Sequence, residues 1–203
     1  MATPFIKSNY QRVPGDYYPT VDGRCISGLI EHFTESLKVG IVDVCAPDGS
    51  GIVDAFRRMG YEAQGWDDAF LDTPSEFNGW IVTNPPYTRP LVDRIIERQI
   101  ERVTSGEVLG LAVLLRAGFD FAKSRAVLFE HLNYYGQIKL RFRPWWSDEH
   151  TAQPIHNYAW HVWLRRGRSG MPVVMYSDGV PLPNAARLGV NERWGAECGK
   201  GKG

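Results

Sequence analysis

Long apolar runs and a leader sequence are both missing from this chain. No uninterrupted apolar run in the 203 residues approaches the about 20 residues that a membrane-spanning helix needs. The segment 1–10 also lacks the basic and then apolar pattern of a signal peptide. The sequence therefore predicts a soluble protein of the cytoplasm with no membrane partner.

Cysteine is scarce and net charge is absent, and each fact excludes a class of protein. The three cysteines, Cys25, Cys45 and Cys198, are an odd number without metal-type spacing, unlike the framework of a disulfide-stabilised secreted domain. The 23 basic and 23 acidic side chains cancel, so the chain as a whole is not a polycation that binds nucleic acid through net charge. Any binding to nucleic acid requires a local basic patch.

The histidines form no recognisable metal motif. His150, His156 and His161 lie near Asp148 and Glu149, but their spacing matches no standard zinc pattern. We therefore predict no metal site and interpret these side chains as loop and strand residues.

Apolar residues are abundant enough for a core, at 43% of 203 residues. This length is near the upper end for one domain, and no internal repeat divides the chain. We predict a single domain over 1–203, with an N-terminal extension at 1–16 and a loosely structured tail from about 180 to 203.

The spacing of apolar residues alternates between helical and strand-like segments. Helical spacing is found in 24–38, 52–59 and 91–103. Short apolar runs typical of strands occupy 41–45, 61–66, 80–83 and 109–115, followed later by 137–142, 158–164 and 172–176. Strands that alternate with helices predict an α/β fold with a doubly wound, mostly parallel sheet, and the last three runs predict an antiparallel edge.

A glycine-containing turn follows the first predicted strand, at Asp43-Val44-Cys45-Ala46-Pro47-Asp48-Gly49-Ser50-Gly51. Glycines in such a turn let the backbone approach a ligand, and an acid at the strand end can meet an ammonium group. The full GxGxxG pattern is absent, and no Lys-Ser or Lys-Thr pair follows as in a P-loop. Two interpretations stay open at this point: a cofactor-binding turn, or a plain connection between strand and helix.

Two acids, Asp67 and Asp68, follow the second predicted strand. In nucleotide-binding βαβ units an acid about 20 residues after the glycine turn accepts hydrogen bonds from the ribose hydroxyls. Paired aspartates are also common at solvent-facing strand ends. Their position makes these acids candidates for ribose binding.

The tetrapeptide Asn84-Pro85-Pro86-Tyr87 ends the predicted strand 80–83 and is the most specific motif in the chain. Its two prolines stop the strand and fix the backbone. The Asn84 side-chain oxygen and the Pro85 carbonyl can accept the two hydrogens of an amino group, and Tyr87 offers a ring on which a flipped base can stack. The motif indicates an enzyme that orients a conjugated amino nitrogen by positioning and polar contacts, without a metal or a covalent intermediate.

Together these motifs resemble the S-adenosylmethionine-dependent methyltransferases that act on the N6 amino group of adenine in DNA, in particular their short phage and prophage forms. Tyr18-Pro19-Thr20 resembles the segment that packs on the methionine end of the cofactor, and Asp67 resembles the ribose-binding acid. The segment 43–49 resembles the cofactor turn, and 81–87 resembles the catalytic strand and loop. Segments 114–119 and 156–163 resemble later strands of the phage enzymes, so the resemblance covers most of 17–165, in the order of the non-permuted members.

The resemblance implies a Rossmann-like class I methyltransferase fold and in-line transfer of a methyl group from S-adenosylmethionine to adenine N6 in DNA. The implied catalytic residues are Asn84, Pro85, Pro86 and Tyr87. The implied cofactor-binding residues are Tyr18, Thr20, Asp43, Cys45, Ala46, Gly49, Asp67, Asp68 and Asn84. The expected setting is the cytoplasm of a bacterial or phage-infected cell, in restriction-modification, with DNA as partner and a restriction nuclease or a specificity subunit as a further candidate.

The sequence departs from the family pattern in the cofactor region. Pro47 stands where the family has the first glycine of its turn, and no proline follows Thr20. The chain also lacks the additional segment that longer members devote to target recognition. A catalytically degenerate, DNA-binding or cofactor-sensing relative is therefore one alternative. Enzymes that methylate RNA or a glutamine amide of a protein are another, because they use the same tetrapeptide.

Basic and aromatic side chains cluster in and after the predicted strand 137–142. The candidates for DNA binding are Arg141, Arg143, Trp145 and Trp146. Such a patch can hold a phosphate backbone and fill the gap left by a flipped base. Charges also protect edge strands and tryptophans pack in cores, so this second interpretation stays open.

Overall fold

A computed structural model describes residues 20, 22–46, 50–66, 68, 77–146 and 154–180. Its strands are β1 (Ile41–Asp43), β2 (Ala63–Gly65), β3 (Trp80–Thr83), β4 (Gly110–Arg116), β5 (Tyr134–Leu140), β6 (Tyr158–Leu164) and β7 (Val173–Ser177). Its helices are α1 (Ser27–Leu37), α2 (Gly51–Arg58), α3 (Leu91–Thr104) and α4 (Ala126–Phe129). Short 3-10 turns lie at Gly23–Ile26, Phe119–Phe121 and Lys123–Arg125.

The strands form one mixed sheet in the order β2-β1-β3-β4-β6-β5-β7. Strands β1 to β4 pair in parallel, and β7 pairs in parallel with β5. Strand β6 runs antiparallel to both of its neighbours, β4 and β5. The predicted α/β class is confirmed, with a mostly parallel sheet and an antiparallel part formed by the C-terminal strands. Among the described strands, the reversal is confined to β6.

Helices cover both faces of the sheet, and β4 shows why. Leu111, Val113 and Leu115 point into a core with α3 and α4, whereas Ala112 and Leu114 point into a core with α1 and α2. The continuous apolar run of β4 is therefore buried on alternate sides, as expected for a central parallel strand. This arrangement is compatible with a Rossmann-like fold.

Local sequence signals explain most of the element boundaries. Ser50 caps α2 by accepting a hydrogen bond from the Val53 amide at 3.5 Å, and Gly60 follows the helix with φ of 84°. The apolar strand β3 ends at Thr83, directly before the Asn84-Pro85-Pro86-Tyr87 segment. The predicted helix 24–38 divides into a 3-10 turn and α1.

The segment between β4 and β5 has helical turns that the sequence pattern does not predict. The two 3-10 turns and α4 are too short to show apolar periodicity. Tertiary contacts hold the segment: Arg125 Nε donates to Asp93 Oδ1 of α3 at 2.8 Å. The predicted extension at 1–16 and most of the predicted tail lie outside the described residues.

The carboxyl ends of β1, β3 and β4 meet at one edge of the sheet, which we call the carboxyl edge. It carries Asp43, Asn84 and Arg116, and β5 and β7 also end there. Tyr158, the first residue of β6, pairs with Arg116. Within the described ranges, no helix has the length and apolarity needed to cross a membrane.

Candidate functional site

A buried polar contact joins the ends of β1 and β3. Asp43 is 2% exposed and Thr83 is fully buried. The Thr83 hydroxyl donates to Asp43 Oδ1 at 2.7 Å, and the Cys45 amide donates to the same oxygen at 3.1 Å. These two bonds fix the carboxylate at the start of the turn. Ala46, the last described residue before position 50, is also buried.

The second acidic loop lies beside this turn. The Trp66 amide donates to the Asp43 carbonyl at 2.7 Å, and the Asp68 amide donates to the Trp66 carbonyl at 2.6 Å. Asp68 is half-buried. The other predicted cofactor residues of this region, Gly49 and Asp67, lie outside the described residues, as do Tyr18 and Pro47.

Asn84 is buried and held at both ends of its amide. Its Nδ2 donates to Thr20 Oγ1 at 3.2 Å, and its Oδ1 accepts a hydrogen bond from the Tyr87 hydroxyl at 2.7 Å. Thr20 is 5% exposed and Asn84 is 6% exposed. The structure thus brings together Thr20, predicted as a cofactor contact, and two residues of the predicted catalytic tetrapeptide. Of the two prolines between Asn84 and Tyr87 in the sequence, Pro85 is buried and Pro86 is half-buried.

The Tyr87 side chain turns inward from the carboxyl edge. Its one hydroxyl hydrogen is shared between Asn84 Oδ1 and the Leu114 carbonyl oxygen, which lies 3.0 Å from the hydroxyl, and its ring packs against both core clusters. Burial raises the pKa of Tyr87 well above its usual range, so the hydroxyl is a stable donor to Asn84. The Arg116 guanidinium lies 5.9 Å from the centre of the ring.

Two cavities open side by side at the carboxyl edge. The first, which we call the Tyr87 pocket, has a volume of about 850 Å³ and is lined by Tyr87, Arg89, Arg116, Arg125 and His156, among others. The second, the Arg143 pocket, also has about 850 Å³ and includes Arg24, Lys139, Arg141, Arg143 and Trp145 in its wall. Ala117, Gly118 and Asn157 line both cavities. The two cavities thus form one arginine-rich surface beside Tyr87, which we call the cationic surface. Four of its arginines, Arg24, Arg89, Arg125 and Arg141, pair with aspartates.

The positive charge of this surface affects a histidine within it. Partial burial and then the charges of Arg116 and Arg143 lower the pKa of His156. The imidazole is therefore neutral at pH 7, where it can both donate and accept hydrogen bonds.

Three of the four predicted DNA-binding residues share one wall of the Arg143 pocket. Arg143 Nε donates to Asn157 Oδ1 at 3.3 Å, and the Arg141 guanidinium lies 4.4 Å from the centre of the Tyr176 ring. Trp145 is the third, and its amide donates to Asp22 Oδ2 at 3.4 Å. Trp146 instead packs against the Tyr158 ring, with 4.8 Å between ring centres.

Arg141 lies beside the edge strand β7, because its guanidinium contacts the Tyr176 ring and pairs with Asp178 Oδ1 at 3.4 Å. Strand β5, which carries Lys139, is paired on both sides, with β6 and β7. Lys139 therefore protects no strand edge, whereas Arg141 lies over one.

No protein-family profile matches this chain, and no curated protein is significantly similar to it. The function is therefore inferred from the site.

Several pocket residues were not predicted from the sequence. Arg89 and Arg116 line the Tyr87 pocket, and Phe121, which is 86% exposed, lines the Arg143 pocket. A signal for Arg116 was present, since a cation directly ends the apolar run of β4 at a carboxyl edge. Nothing in the sequence pattern marks Phe121.

The histidines do not gather at the site. His161 is buried in β6, where its Nδ1 is 2.9 Å from the Tyr134 hydroxyl, while His156 lies at the Tyr87 pocket. Across the described parts of the chain, no group of three or more His, Cys, Asp or Glu could hold a metal ion. Position 150 lies outside those parts.

Proposed function

We propose that this protein transfers a methyl group from S-adenosylmethionine to the exocyclic amino nitrogen of adenine in DNA. The observation that carries the proposal is that a buried Asp43 ends β1 and a buried Asn84 directly follows the neighbouring strand β3, at the point where the strand order reverses direction. In open α/β sheets, ligands bind outside the carboxyl ends of the strands at such a switch point. Asp43 and Asn84 therefore suit the two halves of one ligand site.

The residues around Asp43 fit the cofactor. A carboxylate held by Thr83 and the Cys45 amide is oriented in advance to meet an ammonium group of a ligand. Asp68, beside the same turn, is suited to accept hydrogen bonds from ribose hydroxyls. When bound, S-adenosylmethionine supplies an electrophilic methyl group on a sulfonium and a neutral thioether as leaving group.

Asn84 and Pro85 suit the amine. The lone pair of an adenine amino group is delocalised into the ring, so hydrogen bonds from both N–H groups to fixed acceptors favour attack. Thr20 holds the Asn84 amide nitrogen and thereby fixes which atom faces the substrate. A carbonyl oxygen accepts two hydrogen bonds, so the bond from Tyr87 is compatible with one from the amine.

The reaction balances without a nucleophilic side chain. The amine nitrogen bonds to the methyl carbon while the carbon–sulfur bond breaks and its electrons go to sulfur. The nitrogen then loses its extra proton to water. The protein contributes orientation and preorganised polar groups rather than covalent chemistry.

The cationic surface supports a nucleic acid as substrate. The net charge of the chain is zero, yet Arg89, Arg116, Lys139, Arg141 and Arg143 line two adjoining cavities, one of which also includes Tyr87 of the tetrapeptide in its wall. Cations arranged in this way can contact successive phosphates on either side of a target base.

The test is transfer of tritium from methyl-labelled S-adenosylmethionine to unmethylated DNA, to RNA and to protein offered in parallel. We expect label in DNA, recovered as N6-methyladenine after nucleoside analysis. Label in RNA or protein alone would contradict the DNA substrate. If calorimetry detects no binding of S-adenosylmethionine, that result would favour a catalytically degenerate relative.

A further inference from the structure

Phe121 is a large aromatic side chain that the fold keeps in solvent. It is 86% exposed, although burying such a ring stabilises a protein by about 1.5–3 kcal/mol. The ring lies beside Gly118, a residue that lines both the Tyr87 pocket and the Arg143 pocket. Phe121 therefore lines the Arg143 pocket next to the wall that the two cavities share.

The turn that carries Phe121 is held in place by its neighbours. The Phe121 amide donates to the Gly118 carbonyl at 3.3 Å, and Phe119 is buried at the other end of the turn. The Arg125 guanidinium lies 3.4 Å from the centre of the Phe119 ring and donates to the Phe119 carbonyl at 3.1 Å. The exposure of Phe121 thus follows from a fixed backbone and not from a loose loop.

Cations line both of the cavities that share this wall. Arg89 and Arg116 line the Tyr87 pocket, and Lys139 and Arg143 line the Arg143 pocket. An exposed ring next to the shared wall of two cation-lined cavities resembles the arrangement in which a side chain enters a base stack while cations hold the backbone on either side.

We propose that Phe121 is a wedge that enters duplex DNA beside the target adenine and fills the gap that the flipped base leaves. The inference rests on the proposed function and adds a positioning residue to it. Extruding a base from a duplex costs unstacking energy, and an inserted ring replaces part of the lost stacking. A single strand has no such stack to open, so the wedge matters for duplex substrates alone.

The experiment compares Phe121→Ala with wild type on one sheared, unmethylated phage DNA, used once as native duplex and once after heat denaturation. We expect transfer to the duplex to fall at least about tenfold, and transfer to the denatured DNA to change less than about twofold. Because the ring is almost fully exposed, the variant should keep its circular dichroism spectrum and its thermal midpoint.

Two further variants sharpen the result. Met171→Ala removes a side chain that is 84% exposed but lies before β7, at the opposite edge of the sheet, and should affect neither substrate. Phe121→Trp keeps a large ring and should retain transfer to the duplex.

Each remaining outcome has one meaning. If Phe121→Ala lowers methyl transfer equally on duplex and denatured DNA, or lowers it on neither, the wedge is overturned while the proposed function stays intact. A wild-type protein that labels neither form of DNA would overturn the proposed function, and the wedge would fall with it.

Discussion

At the scale of single residues, Asn84 is the most constrained side chain of the site. Thr20 accepts a hydrogen bond from its amide nitrogen, and Tyr87 donates to its amide oxygen, so the side chain cannot rotate without losing both bonds. An asparagine fixed in this way can present one oxygen to a substrate in a constant direction. The amide is useful for catalysis because of its orientation as much as its chemistry.

We predict that Asn84→Ala lowers methyl transfer by at least about a hundredfold, because removal of one preorganised polar group at a reaction centre has an effect of this size. Cofactor affinity should change little, since the side chain faces the amine in the proposed complex. Labelled transfer and calorimetry measure the two quantities. Asn78→Ala, before β3 at the opposite edge, is the matched control. Activity like that of wild type would remove Asn84 from the reaction centre.

The other residue of interest lies in the core. His161 is fully buried beside Tyr134, and burial lowers its pKa from 6.5 to about 3. The unfolded chain takes up a proton at this residue below about pH 6.5, whereas the native protein does so near pH 3. Its contribution to stability is therefore complete above pH 6.5 and is lost as pH falls toward 3.

We predict that the free energy of unfolding decreases between pH 6.5 and 3 with a contribution from this residue of up to about 1.4 kcal/mol per pH unit. Urea denaturation at pH 7, 5 and 4 measures the dependence. The double variant Tyr134→Phe/His161→Leu removes both partners of the bond and should show a shallower dependence. Parallel pH profiles for the two proteins would mean that His161 takes up its proton at the same pH in the native protein as in the unfolded chain. That result would contradict the lowered pKa.

At the scale of elements, the sequence predicted most of the helices and strands but not how they touch. Apolar periodicity placed α3 and β6 within about two residues, because each depends on a pattern local to its own segment. The two 3-10 turns and α4 were missed, because contacts such as the one from Arg125 to Asp93 join distant parts of the chain.

The same distinction holds within the site. Asn84 and Tyr87 could be predicted as site residues because both belong to one motif of four consecutive residues. The bond from Tyr87 to the Leu114 carbonyl depends on how β3 and β4 pair, and the bond from Asn84 to Thr20 joins residues 64 positions apart. Neither follows from a local pattern. The cationic surface was predicted only at its Arg141 and Arg143 end for the same reason.

The pairing of β5 with β7 depends on a glycine. Gly136 has φ of 150° beside an irregularity in the pairing of β5 with β6, and a Cβ atom there would lie 2.0 Å from the Val173 carbonyl oxygen of β7. A side chain at this position would therefore both strain the backbone and push the strands apart.

We predict that Gly136→Ala lowers the thermal midpoint by about 5 °C or more, since strain and the backbone clash together cost at least about 2 kcal/mol. Calorimetry measures the midpoint, and limited proteolysis should detect cleavage near β7. Gly170→Ala is the control, because nothing lies within 4 Å of a Cβ atom added there. Equal midpoints for the two variants would mean that β5 and β7 adapt without separating.

At the scale of the whole molecule, zero net charge conceals an uneven distribution. The basic side chains of the Tyr87 pocket and the Arg143 pocket lie together at the carboxyl edge. A local field of this kind attracts a polyanion even when the total charge is zero. The sequence composition by itself gave no indication of it.

We predict that DNA binding weakens with rising salt and that Arg141→Ser/Arg143→Ser reduces the slope of log K against log[salt] by about 1 to 2, because each lost phosphate contact reduces it by about 0.9. Filter binding over a range of salt concentrations measures the slope. Lys38→Ser removes a positive charge that lies before β1, at the opposite edge, and should leave the slope unchanged. Equal slopes for all three proteins would exclude the Arg143 pocket from the DNA interface.

The place of β6 in the sheet, between β4 and β5, affects how the chain folds during synthesis. Strand β4 finds its second neighbour in β6, so one side of β4 stays uncovered until the ribosome has released the whole of 117–157 and then β6 itself. During that interval the growing chain exposes the unpaired edge of a strand that is apolar from Leu111 to Leu115, and such an edge is prone to pair with other nascent chains. Yield in cells should therefore depend on chaperones that hold this half-finished sheet.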